Sequence, residues 1–304
     1  MKIFVTKKIP FWEELKKPLV EAGHELTVEG DLKQEVEKGY DGLLCLLTDK
    51  IDEEVLAADK NKRLKIIANY AVGFDNVDVE AAKARNIMVT NTPCDEVNES
   101  VAEFTWTLML ALSNQLLPAA DFAKNAAYKG WRPDIFLGQL LKGKTLGVVG
   151  AGRIGSLVAS KGVAFQMKVM EYSRSSGLKL EDVLGQADYV SLHVPLTSET
   201  THMMNEQTLS QMKQGAYLIN TARGKIVDEV ALVYALKTGK IAGAALDVWE
   251  NEPDPRPELL DMENVILTPH IASATFEARR AMGVTAVKNL VDGLAGSTPA
   301  NLVK

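Results

Sequence analysis

Three residues of this chain have side chains suited to handling a proton beside an anion: Arg223, Glu252 and His270. Each follows a short apolar run that reads as a strand, at Ala216–Asn220, Ala242–Asp247 and Val265–Leu267. Histidine changes charge near neutral pH and is the usual donor to an oxygen that is gaining negative charge. A carboxylate beside it favours the protonated ring. An arginine fork grips a carboxylate through two parallel hydrogen bonds. Taken singly, each has an ordinary reading: a solvated loop charge, part of an acidic stretch, a helix-capping histidine. Together they form a complete set for adding hydride to a ketone while a proton reaches its oxygen, provided that a hydride source binds nearby.

The residues for that source lie upstream. Leu146–Val149 reads as a fully apolar strand of the kind buried in a parallel sheet. Gly150-Ala151-Gly152-Arg153-Ile154-Gly155 follows, a G-x-G-x-x-G pattern, and then a helix with Ile154, Leu157, Val158 and Val163 on one face. In this strand–turn–helix context Gly150 makes the tight turn, Gly152 admits a pyrophosphate and Gly155 packs helix on strand. The helix start, with Arg153 and Ile154, offers free N–H groups to phosphates. The next strand leads to Ser173-Arg174-Ser175. An NAD-selective site wants an acid at the Ser173 position to bond the ribose hydroxyls. Serine and arginine suit a 2′-phosphate instead, which predicts NADPH as the preferred cofactor with NADH also usable. Glu171 remains the alternative acid if the register differs by two. His193 ends another strand and, with Pro195, is expected to shape the cofactor pocket. Thr221 and Ala222, just before Arg223, are further expected cofactor contacts.

These groups need elements to position them. The first 90 or so residues alternate strands (Ile3–Thr6, Glu25–Val28, Asp41–Leu47, Leu64–Ala68, Ile87–Thr90) with helices (Trp12–Ala22, Ile51–Ala58, Asp78–Arg85). That βαβ rhythm predicts a parallel sheet with helices on both faces. The loop Asn69–Asp78 follows a strand end, where open α/β sheets bind ligands. Gly73 lets backbone N–H groups point at an anion there; a plain βα loop is the equal alternative. A long helix, Asn98 to about Leu116, is apolar over much of its circumference, as at a domain junction or subunit interface. Gly130–Gly138 reads as irregular, with Trp131 near its tip. A last helix, Thr275 to about Leu294, is long enough to return to the first domain. The expected fold is α/β, with two Rossmann- or flavodoxin-like doubly wound parallel sheets.

Bulk properties narrow the field. The chain has 304 residues, 46% hydrophobic and 24% charged, with a formal charge of −6. With no long basic run, neither nucleic acid nor an acidic membrane surface is an expected partner. Cys45 and Cys94 are too few for a disulfide framework. No His or Cys pair has metal-ligand spacing, so no metal is expected. No signal pattern and no membrane-length apolar run is read, and the expected location is the cytoplasm.

In the segments Asn69–Asp78, Val101-Ala-Glu103, Gly150–Gly155, Asn220–Gly224, Asp247–Pro253 and Pro269–Thr275, and in their order, the sequence resembles the D-isomer-specific 2-hydroxyacid dehydrogenases over essentially its whole length. The resemblance implies that Arg223, Glu252 and His270 are catalytic. It implies that backbone at Val72 and Gly73 holds the substrate carboxylate, and that Asp247 contacts the nicotinamide carboxamide. Members of the family have a hinged, discontinuous substrate domain and form homodimers through the long helix. The resemblance thus implies a dinucleotide-binding domain, 95–284, inserted in a substrate domain of 1–94 and 285–304. Gly42–Asp49 and Trp131-Arg-Pro133 resemble the glyoxylate/hydroxypyruvate reductase branch. There the equivalent of Trp131 reaches the neighbouring subunit's active site and limits substrate size. The expected reaction is NAD(P)H-dependent reduction of a small 2-keto acid to the D-2-hydroxy acid. The alternatives are a dinucleotide-sensing, co-repressor-like binding protein and a formate- or phosphite-type dehydrogenase.

Overall fold

A computed structural model describes residues Met1–Val303. The chain divides into two compact units, one of Met1–Val97 with Ala274–Lys304 and one of Asn98–Ser273.

The first unit is built on five strands: β1 (Lys2–Val5), β2 (Glu25–Val28), β3 (Gly42–Leu46), β4 (Ile66–Tyr70) and β5 (Met88–Thr90). They pair in the order β2-β1-β3-β4-β5, all parallel. Strands β3 and β4 are near-continuous apolar runs because both faces of a parallel sheet are covered. The C-terminal helix Phe276–Leu294 belongs to this unit. Ala278, Met282, Ala286, Leu290 and Leu294 recur every fourth residue and are all buried, a stripe wide enough to fix the helix on a core. Each large apolar side chain in it contributes about 1.5–3 kcal/mol by leaving water. Thr275 caps the helix by accepting from the Ala278 N–H at 3.2 Å. The division between units falls ahead of this helix, whereas a boundary at 284/285 would cut its stripe in two.

The second unit has six strands: β6 (Thr145–Val149), β7 (Lys168–Tyr172), β8 (Tyr189–Leu192), β9 (Ala216–Asn220), β10 (Ile241–Leu246) and β11 (Val265–Leu267). Their order is β11-β10-β9-β8-β6-β7, again all parallel. The chain leaves β6 in one direction to β7 and then crosses to β8 on the other side. That reversal is where ligands bind in open α/β sheets.

Two helices depart from expectation. The stretch 12–22 is split into Trp12–Leu15 and Lys17–Glu21. Pro18 has no N–H for a continuous helix and sits instead at the start of the second one. The long helix runs Asp95–Ser113 and stops at Gln115, which is left-handed (φ 49°), before a separate helix, Leu116–Lys124.

Candidate active site

The glycine loop lies at the reversal point of the second sheet. A Cβ on Gly150 (φ 107°) would come within 2.6 Å of the His193 carbonyl, and one on Gly155 within 2.0 Å of the Gly150 oxygen. Neither position accepts a side chain unless backbone moves. A Cβ on Gly152 would meet nothing within 4 Å. Its bareness serves no packing in the protein, and it leaves room for a group to approach the helix start. Gly152 caps the helix Arg153–Ala164 without a side-chain acceptor, so the first N–H groups of a 12-residue helix face outward with its positive dipole end. Gly150 and Ala151 N–H both donate to the Tyr172 carbonyl, at 2.9 and 3.3 Å, which ties the loop to the end of β7.

Strand pairing gives the register of the residues beyond β7. Val149 pairs with Tyr172 and Val148 with Glu171. Ser173 is therefore the first residue past the strand, level with Gly150, and Glu171 lies two residues further down. Ser173 Oγ is 3.3 Å from Ser175 Oγ, and Arg174 pairs with Glu199 on the surface. His193 follows β8, and its Nε2 lies 2.8 Å from Ser191 Oγ. The residue keeps some surface, but its ring is dehydrated, which pushes its pKa down to about 4. Pro195 accepts from Thr200 Oγ1 at 2.6 Å, closing the turn after that strand.

The three candidate side chains, Arg223, Glu252 and His270, follow the carboxyl ends of the neighbouring strands β9, β10 and β11. After β9, the fully buried Asn220 holds the turn: its Oδ1 accepts from Ala222 N–H at 3.0 Å, and its Nδ2 donates to the Arg223 carbonyl at 2.9 Å. Thr221 Oγ1 is 2.9 Å from Thr105 Oγ1 of the long helix. Glu252 and His270, 18 residues apart in sequence, meet with Oε2 at 2.9 Å from Nδ1. The imidazole is thereby oriented with Nε2 as its other working atom, and a protonated ring has a counter-charge within contact.

Asp247, expected at the nicotinamide carboxamide, is also bonded within the protein. It is 0% exposed, and burial raises its pKa. Its oxygens accept from Thr268 Oγ1 at 2.7 Å, Ile271 N–H at 2.9 Å and Ala272 N–H at 2.8 Å. Its carbonyl accepts from His270 N–H at 2.8 Å. A carboxylate has about four acceptor sites, and three are taken by the segment around His270. That segment needs a clasp, because His270 is held left-handed at φ 55°, a conformation rare outside glycine.

In the other unit, the loop after β4 is fixed from within. Asn69 Nδ2 donates to the Gly73 carbonyl and to Asn76 Oδ1, both at 3.0 Å. Asn91 Nδ2 donates to the Val72 carbonyl at 2.7 Å. With both carbonyls turned inward, the N–H groups of Val72 and Gly73 donate to no acceptor among the described residues. Trp131 is 80% exposed, in a segment where Leu116, Tyr128, Leu137 and Leu140 are also exposed. Among the described residues, no helix is long and apolar enough to cross a membrane and no His, Cys, Asp and Glu cluster could hold a metal.

Sequence reasoning passed over Asn220 and Ser191. Their signal was a polar side chain inside an otherwise apolar strand, AYLIN and YVSL, which buried strands carry only when a partner satisfies it.

Residues 106–272 match a family model described as the NAD binding domain of D-isomer specific 2-hydroxyacid dehydrogenases. A glyoxylate reductase of Thermococcus litoralis is 43% identical over 99% of this chain and 96% of its own length. A crystal structure of a Thermus thermophilus protein superposes with a TM-score of 0.93 at 42% identity, covering 100% of both chains. The D-lactate dehydrogenase of Aquifex aeolicus, solved with NAD and lactic acid, gives a TM-score of 0.86 at 34% identity over 100% of this chain and 99% of that one. With its two parallel sheets and its glycine loop, the chain belongs to the D-isomer specific 2-hydroxyacid dehydrogenase family.

Proposed function

We propose that this protein is an NAD(P)H-dependent reductase of a small 2-keto acid, of the size of glyoxylate or hydroxypyruvate, and forms the D-2-hydroxy acid. The observation that carries this reading is the Glu252–His270 pair at 2.9 Å, on the strand edge that also bears Arg223. His270 gives a proton to the carbonyl oxygen as that oxygen gains charge. Glu252 holds the imidazole in orientation and offsets the charge of its protonated form. Arg223 grips the substrate carboxylate and polarises the neighbouring carbonyl. In the other unit, the backbone N–H groups of Val72 and Gly73 support an anion-binding role for the loop after β4. Asp247 holds the His270 segment through three donors, and its remaining acceptor site suits the nicotinamide carboxamide.

The dinucleotide fits the residues present. The bare Gly152, the helix start at Arg153 and Ile154, and the close-packed Gly150 and Gly155 would hold its pyrophosphate. His193, Pro195, Thr221 and Ala222 line the path beside it. When bound, its nicotinamide supplies hydride. Ser173, Arg174 and Ser175 support a preference for NADPH: hydroxyls and a guanidinium suit a 2′-phosphate, which a carboxylate would repel. Arg174 must then exchange Glu199 for the phosphate. NADH remains usable because the rest of the pocket is common to both.

Exposed apolar side chains around Trp131 support a homodimer through this face, with Trp131 near the partner's substrate. A cytoplasmic location goes with this reading. Purified protein assayed on a panel of 2-keto acids with each cofactor tests the function. Turnover of small 2-keto acids to the D-product is the expected result, and none on any 2-keto acid would overturn it.

A further inference from the structure

The carboxylate that orients His270 sits on a loop without regular structure. After β10, residues 247–256 form turns, and Glu252 is among the exposed residues there. Something outside the loop has to hold it. Two features do so, both from the segment that follows Arg223. Gly224 lies so close that a Cβ on it would be 1.9 Å from the Trp249 carbonyl. Next to that contact, two acids exchange hydrogen bonds. Glu229 accepts from the Glu250 N–H at 2.7 Å, and Glu250 Oε1 accepts from the Glu229 N–H at 2.9 Å. This is the reciprocal logic of a capping box, spread over two elements 21 residues apart.

Glu229 is not needed to cap its own helix, Glu229–Lys237. Asp228 does that by accepting from Val230 and Ala231 N–H at 3.0 and 3.1 Å. Yet Glu229 is only 3% exposed. Burial pushes its pKa up, the Glu250 N–H opposes that, and the charges of Glu250 and Asp228 add to it. Arg256 faces the pair, with Nε 3.9 Å from Glu229 Oε2, and His202 Nε2 lies 3.3 Å from Glu250 Oε1. A buried acid beside another acid is costly. Its one short side-chain bond goes to the backbone two residues before Glu252.

We propose that Glu229 is a positioning residue: by holding the Glu250 N–H it fixes the loop so that Glu252 stays in contact with His270. It touches none of the reacting groups itself. The functional weight of this inference rests on the reading of Glu252 and His270 as the proton-donating pair.

The test compares Glu229→Ala, Glu229→Asp and Glu229→Gln. Aspartate keeps the charge but is one methylene short, so it carries the test if the alanine variant does not fold. Glutamine keeps an oxygen that can accept from Glu250. The first readout is the NMR signal of the His270 ring Nδ1–H in cofactor-free protein, identified by its loss in His270→Gln. A ring N–H held by a carboxylate lies downfield, so the signal should move upfield or be lost to exchange in the alanine and aspartate variants and stay put in Glu229→Gln. The second readout is kcat, which should fall about ten- to a hundredfold in the first two, the scale of a misplacement of about an ångström. In a Glu252→Gln background, Glu229→Ala should add no further loss, whereas a purely structural residue would add its own. An unmoved His270 Nδ1–H signal in both the alanine and aspartate variants overturns the inference. If the signal moves but Glu252→Gln leaves kcat intact, positioning stands and the catalytic reading falls.

Discussion

Replacing Gly224 by alanine tests how tightly the loops of the site are locked together. Gly224 follows Arg223 directly and is buried. Its φ lies outside the left-handed region, so alanine meets no backbone penalty and the whole effect is spatial. A Cβ there would stand 1.9 Å from the carbonyl carbon and oxygen of Trp249 and 2.6 Å from the Glu250 nitrogen, all backbone atoms. Contacts below 3.0 Å essentially never occur and ordinary ones begin at 3.4 Å, so the two segments must part by about 1.1–1.5 Å. One segment leads to Arg223, the other to Glu252. A displacement of about 1 Å costs on the order of a hundredfold in rate, or about 2.7 kcal/mol of barrier. The overpacking itself should cost about 1–3 kcal/mol of stability. The assay is kcat/KM on a 2-keto acid, with thermal unfolding and dinucleotide affinity measured beside it. Affinity should hold within about threefold, because Gly150–Gly155 lies outside the clash, if a 1 Å shift is confined to these loops. Gly185→Ala is the control: its Cβ would meet only the Gln211 oxygen, at 3.8 Å, so activity should be unchanged and the helix slightly more stable. Gly224→Ala with kcat/KM close to that of the parent would refute the reasoning.

Other predictions follow from the same geometry. His270→Ala should lower kcat by about 10²–10⁴, the worth of a positioned acid, with dinucleotide affinity nearly unchanged; near-full turnover would remove His270 from the mechanism. Arg223→Lys keeps the charge but loses the fork, so kcat/KM should drop sharply in steady-state assays, and unchanged kinetics would argue against the clamp. Arg174→Ala should weaken NADPH binding about ten- to a hundredfold, the loss of one ionic hydrogen bond, and leave NADH nearly untouched; a parent enzyme that prefers NADH would contradict the assignment. His193 gives a pH test. An unfolded histidine titrates near 6.5 and the folded one at about 4, so only the unfolded chain gains this proton as pH falls between those values. The folded state should therefore lose stability from about pH 6.5 downward, by up to roughly 2 kcal/mol at pH 5, with nothing lost above 6.5. Denaturant unfolding at pH 7.5 and pH 5 should show a smaller loss in His193→Gln than in the parent; equal losses would show that the ring is not kept neutral.

Much of this protein was legible before any coordinates. Parallel sheets announce themselves in runs such as Gly42–Leu46 and Leu146–Val149, because a strand covered on both faces has no reason to alternate. The glycine loop was readable because each glycine answers a local requirement. Arg223, Glu252 and His270 could be nominated because chemistry in α/β folds gathers at the carboxyl ends of strands. Local patterns were less reliable at breaks. Helical periodicity runs through Pro18 and past Gln115, yet a missing N–H and a left-handed residue interrupt the helices there.

What only the tertiary structure decided were the pairings between loops. Adjacent parallel strands bring Glu252 to His270, Glu229 to Glu250, and Gly224 against Trp249, across separations of 18 to 25 residues. Nothing in the spacing of those residues specifies which backbone N–H a given carboxylate will meet. Asp247 makes the same point. Its position at the end of β10 is legible in the sequence, but three donors from the residues after Leu267 take up its oxygens. Residue types and local geometry set which groups stand at the edge of the sheet; the packing of one loop on the next sets which of them touch.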